Sequence, residues 1–257
     1  MCISVSVFES FRSNLGFVLS FLAIVLILFG LAYLLEKVAR KNNPDSEPLS
    51  PTRRIAMIGM FSAVAFILML FEVPLPFAPS FYKLDLSELP ILIGAFAFGP
   101  SAGVMMEFIK ILLKLLFKGT STAFVGELAN FAVGCSLILP ASVLYSFKKT
   151  KGQALLSMIV GTLVLTIFGT SFNAFYLLPA FAKLYGMPLE ALIGMGEAIF
   201  PSISGSVFRF VVYCVAPLNL IKGTVNSVVT LLVYKKLSPI LKSSHATAVK
   251  KGSSVNG

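Results

Sequence analysis

The uncharged stretch Leu15–Leu35 constrains this chain more than any other feature. As a helix rising about 1.5 Å per residue, it is long enough to cross the hydrocarbon core of a bilayer. Predominantly apolar runs recur at 55–73, 102–117, 123–147, 154–178 and 218–234. The chain is 57% hydrophobic and 12% charged, with a mean hydropathy of +0.91. Soluble domains carry about a quarter charged residues, so this is an integral membrane protein. The runs lack the period-two alternation of outer-membrane strands, and the expected fold class is all-α.

Leu15–Leu35 exceeds the apolar region of a leader peptide, about 7–15 residues, and no small-x-small cleavage pattern follows it; the reading favours a retained helix. The formal charge of +10 does not call for nucleic acid. Lys and Arg cluster at helix ends instead: Lys37, Arg40, Lys41, Arg53 and Arg54; then Lys148, Lys149 and Lys151; then Lys235, Lys236, Lys242, Lys250 and Lys251. All three clusters fall on one side of the expected bundle. The positive-inside rule makes that side cytoplasmic and puts the N-terminus outside. Cys2, Cys135 and Cys214 show no paired spacing, and the lone histidine, His245, lies in the polar tail. Neither a disulfide framework nor a metal site is expected.

Between the runs ending at Val73 and beginning at Ala102 lies FAPSFYKLDLSELPILIGAFAFGP, residues 77–100. Its first half concentrates Tyr82, Lys83, Asp85, Ser87 and Glu88 behind Pro74, Pro76 and Pro79. Such a polar loop between membrane-length runs is costly unless it lines something wet, and it reads as lid and wall of a small-molecule site on the outer face. Pro90–Phe98 spans only half a membrane before the Gly99–Pro100 turn. Pro217 is expected to break the last apolar region, leaving Leu218–Tyr234 as the final span and Ser202–Ala216 packed on the outer face. Pro179–Pro201 is expected to be a long outer connection.

Several intramembrane polar residues are candidates. Asn219 and Lys222 share a helix face, either as ligand contacts or as a helix cap and a snorkelling lysine. Asn173 offers an amide suited to the imide edge of a ring, or to an interhelical hydrogen bond. Glu127 and Asn130 face the interior. Glu107, Lys110 and Lys114 are expected to pair along one helix face, more as structure than as ligand site. Ala56, Gly59 and Ala63 form a small-residue face that another helix could approach. No phosphate-binding loop and no nucleophile with a neighbouring base occur. The chain reads as a binding or transport subunit without an engine or a catalytic site of its own.

Four ordered blocks carry a resemblance: FYKLDLSELPILIGAFAFGPSAGVMMEFIK (81–110), KGTSTAFVGELANF (118–131), FNAFYLLPAF (172–181) and APLNLIKGTVNS (216–227). Over roughly Pro51–Lys242 the chain resembles the substrate-binding (S) components of energy-coupling-factor (ECF) vitamin transporters, and among them the riboflavin-specific kind. The resemblance implies a six-helix bundle in the bacterial plasma membrane that takes up riboflavin from outside. It also implies partners, a transmembrane coupling subunit and two cytosolic ATPases, and no cofactor beyond the transported ligand. By resemblance, Asn219, Lys222 and Asn173 contact the flavin ring, and Tyr82, Lys83, Leu84 and Asp85 cover it. The Ala56/Gly59/Ala63 face would receive the coupling subunit. This chain departs from the pattern by its extra N-terminal helix. The expected division is therefore an added transmembrane helix (1–36), a basic cytoplasmic linker (37–54), the six-helix membrane domain (55–237) and a polar cytoplasmic tail (238–257). Rival readings are an S component for FMN, thiamine or pantothenate, and a stand-alone ion-coupled transporter using Glu107 or Glu127. The latter usually shows an internal repeat, and none is convincing here.

Overall fold

A computed structural model describes the backbone of residues 15–41, 51–79, 82–120 and 122–253. Residues 1–14, most of the linker (42–50) and the end of the tail (254–257) lie outside the described residues. The expected all-α membrane bundle is found. In chain order it comprises α1 (Leu15–Lys41), α2 (Pro51–Leu70), a ribbon of β1 (Val73–Pro74) and β2 (Lys83–Leu84), α3 (Glu88–Phe98), α4 (Pro100–Lys118) and α5 (Val125–Phe147). Then follow α6 (Lys151–Phe172), a π turn (Asn173–Leu177), α7 (Leu178–Tyr185) and α8 (Leu189–Glu197). A 3₁₀ turn (Pro201–Ile203), α9 (Val207–Phe210), a second π turn (Val211–Val215) and α10 (Ala216–Ser253) complete the chain.

The half-length α3 is apolar on every side, as a helix enclosed by others must be. It packs among α2, α4, α5 and α10, and Ile91, Leu92, Ala95 and Phe96 are buried at its centre. Around it α5 lies against α6, and α6 against α10. The outer faces are apolar: Leu26 and Ile27 of α1, Ile55 and Ile67 of α2, and Ile159 and Ile167 of α6 are all exposed, as lipid contact requires.

The added helix is integral to this bundle. It packs on α4 and α5, with Phe21 edge-on to Phe131 at 5.8 Å between ring centroids. Near its end, Glu36 is buried against the turn that starts α4. Glu36 accepts from the Ser101 backbone N–H at 3.0 Å and from the Ser101 hydroxyl, and it pairs with Arg40 at 2.6 Å and Arg54 at 3.1 Å. Gly99 at the start of α4 adopts φ +101 and supplies no side-chain cap. A Cβ there would lie 2.8 Å from the Glu36 carboxyl carbon, so only glycine lets the carboxylate reach the helix N-terminus. Glu36 thus caps α4 from another helix.

Three expectations about boundaries are corrected. The first helix runs on to Lys41, past the expected start of the linker, and α2 begins at Pro51 inside the region assigned to that linker. The helix of α6 continues through its π turn to Tyr185, so most of the outer connection after Pro179 is helical, with α8 following. Pro217 does not break the last helix: residues 207–234 form one continuous helix. The π turn Val211–Val215 immediately before Pro217 widens the spiral where the proline ring would meet the preceding turn, which removes the need for a break. The tail is helical to Ser253.

Candidate functional site

The loop between α2 and α3 is short of regular structure but not free to wander. Val73 pairs with Leu84 and Pro74 with Lys83 in an antiparallel ribbon, which turns the chain back over the bundle. Tyr82 and Lys83 consequently point to opposite faces. Lys83 lies on the exposed face, 2.5 Å from Glu72, and Leu84 is half-buried in the ribbon.

Beyond the ribbon the chain carries Asp85 into the bundle. One Asp85 carboxylate oxygen accepts from the Ser87 backbone N–H at 2.8 Å, and the other lies 3.3 Å from Lys222 Nζ. Burial alone would raise the Asp85 pKa. The Lys222 and Lys110 ammonium groups, with the Ser87 hydrogen bonds, outweigh it and hold the carboxyl at about 2. Lys222 also lies 3.0 Å from Glu88, the first residue of α3, and Lys110 lies 3.5 Å from the same carboxylate. Lys110 donates to Ser87 Oγ at 3.0 Å and sits 2.5 Å from Glu107. Asn226, one turn beyond Lys222, donates to the Asp85 backbone carbonyl at 3.3 Å. Three carboxylates and two ammonium groups are thereby gathered out of solvent by α3, α4, α10 and the loop. A single such charge would be prohibitive there; mutual pairing is what makes the cluster tolerable.

Beside this cluster lies an amide cluster. The Tyr82 hydroxyl donates to Asn173 Oδ1 at 2.7 Å, with burial pushing the phenol above its ordinary pKa so that it stays a neutral donor. Asn173 Nδ2 donates to the Gly169 carbonyl at 2.8 Å. Asn173 opens the first π turn, and the second π turn leads into the helix bearing Asn219. π turns are rare and concentrate at functional sites. Asn219 is 3% exposed, yet its Nδ2 has no hydrogen-bond partner among the described residues. Phe77, Ile193, Ile203, Phe210 and Leu218 form an apolar wall on the same side as Tyr82.

Of the residues singled out in the sequence, Asp85 and Lys222 come together, as do Tyr82 and Asn173, with Asn219 close by across Gly169. Lys83 does not join them. Asn219 is not a helix cap, because no helix starts after Pro217. Lys222 does not snorkel but is buried. Lys114 also departs from expectation: it crosses to Glu127 at 3.2 Å rather than joining Glu107 and Lys110. Glu127 is buried as expected and is further held by the hydroxyls of Thr120 and Thr122. Asn130 is half-buried, donating to the Gly126 carbonyl. Lys110 and Asn226 join the candidate site although the sequence did not mark them as such. Asn226 could have been found, since spacings of three and four put Asn219, Lys222 and Asn226 on one helix face. Ala56, Gly59 and Ala63 lie elsewhere, exposed on α2, where a Cβ added to Gly59 would touch nothing within 4 Å.

Apolar walls, oriented amides and buried lysines under a folded loop suit a planar ligand with a polar edge. The class defined is a multi-pass, all-α membrane protein with a buried polar cluster as its candidate binding site. Residues 53–234 match the family described as ECF transporter, substrate-specific component, and the chain belongs to that family. It is 34% identical to the riboflavin transporter RibU of Staphylococcus aureus, over 76% of this chain and 95% of that protein. It is 31% identical to the riboflavin transporter FmnP of Bacillus subtilis, over 77% of this chain and 98% of that protein. The solved structure of the S component of a bacterial ECF transporter superposes with a TM-score of 0.58 at 35% identity, over 75% of this chain and 99% of that one.

Proposed function

We propose that this protein is the riboflavin-capturing subunit of an ECF-type importer. The observation that carries the reading is the unpartnered Asn219 amide, held beside Asn173 and Lys222 beneath the loop. A buried donor without a partner costs stability, and it is retained where a ligand completes it. The riboflavin transporters among its relatives supply the substrate class, and the isoalloxazine ring fits the chemistry: flat, apolar and hydrogen-bonding along one edge. Asn219, Lys222 and Asn173 would meet that edge, with Tyr82, Leu84 and Asp85 above it. A flavin phosphate would need cations at the pocket mouth; of Lys83, Lys118 and Arg209, Lys83 is engaged with Glu72 and Arg209 with the Ser202 carbonyl. No bond is made or broken in this reading.

Lacking a nucleotide-binding loop, the chain would depend on a transmembrane coupling subunit and two cytosolic ATPases. The Ala56/Gly59/Ala63 face is the proposed docking surface, since small exposed residues permit close helix approach. Ala63→Leu is expected to abolish uptake by the assembled transporter while sparing ligand binding; loss of binding as well would make this helix part of the site. The primary test is the absorbance spectrum of the detergent-purified protein, followed by titration of flavin fluorescence. Saturable quenching is expected, and a protein that ignores riboflavin would discard the substrate.

A further inference from the structure

The two amides proposed to face the ligand meet at one backbone position. Gly169, in the last turn of α6, accepts from Asn173 Nδ2 through its carbonyl at 2.8 Å. That bond fixes which way the Asn173 amide lies and leaves its oxygen to Tyr82. On the other side, a Cβ built on Gly169 would sit 2.7 Å from Asn219 Nδ2, 3.1 Å from Cγ and 3.2 Å from Oδ1. The Asn219 amide therefore lies against bare backbone that no other residue type can provide.

We propose that Gly169 is a positioning residue for ligand binding, fixing the Asn219 amide by the absence of a side chain and the Asn173 amide by its carbonyl. The inference rests on the reading that these amides bind riboflavin. Gly161, on α6 facing α5, and Gly223, on α10 facing α6, differ from Gly169. A Cβ on Gly161 would meet Leu137 and Ala141, and one on Gly223 would meet Thr162 and Leu165. Those two glycines serve close helix approach, whereas Gly169 meets the polar head of a candidate ligand contact. In a helix interior alanine is intrinsically more favourable than glycine, so Gly169→Ala carries no propensity penalty that would unfold the protein by itself.

The test is riboflavin titration of wild type, Gly169→Ala, Asn219→Ala and the double variant, with thermal unfolding of each unliganded protein. Gly169→Ala is expected to weaken binding by about 10- to 100-fold, the range for displacing a hydrogen-bonding group from a ligand. In the Asn219→Ala background the same change should alter affinity less than about threefold, because the group it displaces is gone. Equal losses in both backgrounds, or wild-type affinity in Gly169→Ala, would overturn the proposal while leaving the substrate assignment intact. Wild type that fails to bind riboflavin would overturn the substrate assignment and this inference with it. If Gly169→Ala does not fold, recovery of folding in the double variant places the clash at Asn219, and failure of both variants removes the proposal.

Discussion

Glu36 and Lys222 are both buried charges, at opposite ends of the bundle, and their surroundings differ in completeness. Around Glu36 the accounts close: two arginines, a hydroxyl and a backbone N–H converge on one carboxylate, and Arg40 keeps its outer side in solvent. Around Lys222 they do not. Three carboxylates face two ammonium groups, and the carboxylate oxygens of Glu88 and Glu107 lie within ion-pair distance but outside hydrogen-bonding geometry. The Asn219 amide nitrogen, the Asn226 amide oxygen and the Thr230 hydroxyl lack partners among the described residues. Satisfied polar networks rigidify; incompletely satisfied ones sit where a further molecule contributes. The first network ties the added helix to the bundle, and the second is the proposed site.

The largest effect is expected at Lys222. Lys222→Met strands Asp85 and Glu88 without their shared cation, and breaking a buried pair costs about 3–5 kcal/mol. Both the unfolding midpoint in detergent and flavin binding should fall. Adding Asp85→Asn should recover part of the stability and none of the binding; recovery of binding would remove Lys222 from the ligand contacts. A smaller change follows from acid. The Asp85 pKa is about 2 in the folded protein, below its ordinary value of 3.8. Its contribution is fully present above that ordinary value and is lost as pH falls through about 2. Unfolding followed between pH 8 and pH 2 should therefore show no Asp85-dependent change down to about pH 4. Below that it should show a loss of roughly 2 kcal/mol, absent in Asp85→Asn.

Much of this architecture was legible in the sequence because hydrocarbon leaves few alternatives. Predominantly apolar runs marked α1, α2, α5 and α6, and the crowding of Tyr82, Asp85 and Glu88 behind prolines marked the loop. What escaped reading depended on three-dimensional compensation. Pro217 was a legitimate break signal, overridden by a π turn that sequence periodicity does not announce. Lys110 and Glu107 read as a local helix pair. Their connection to Glu88 and Lys222 crosses from α4 to α3 and α10, which no spacing within a single helix encodes. The capping of α4 by Glu36 likewise joins positions 65 apart in sequence.

The last two expectations are the smallest in energy and separate the two regions most sharply. Glu36→Ala removes the cap of α4 and its complement to the helix N-terminus, together about 1–2 kcal/mol, while Arg40 and Arg54 can turn to solvent. The unfolding midpoint should drop with riboflavin affinity unchanged; a matching loss of affinity would mean that the Glu36 junction also shapes the site. Asn219→Ala should do the reverse. Its amide nitrogen has no hydrogen bond to lose among the described residues, so unliganded stability should stay within about 0.5 kcal/mol of wild type or rise as a buried unpaired donor disappears. Affinity should nevertheless fall by about tenfold or more, the share of a hydrogen bond made only to the ligand. A residue whose removal leaves the fold unharmed and the ligand unbound cannot be structural, and that outcome would separate the Asn219 amide from the buried polar groups that merely hold helices together.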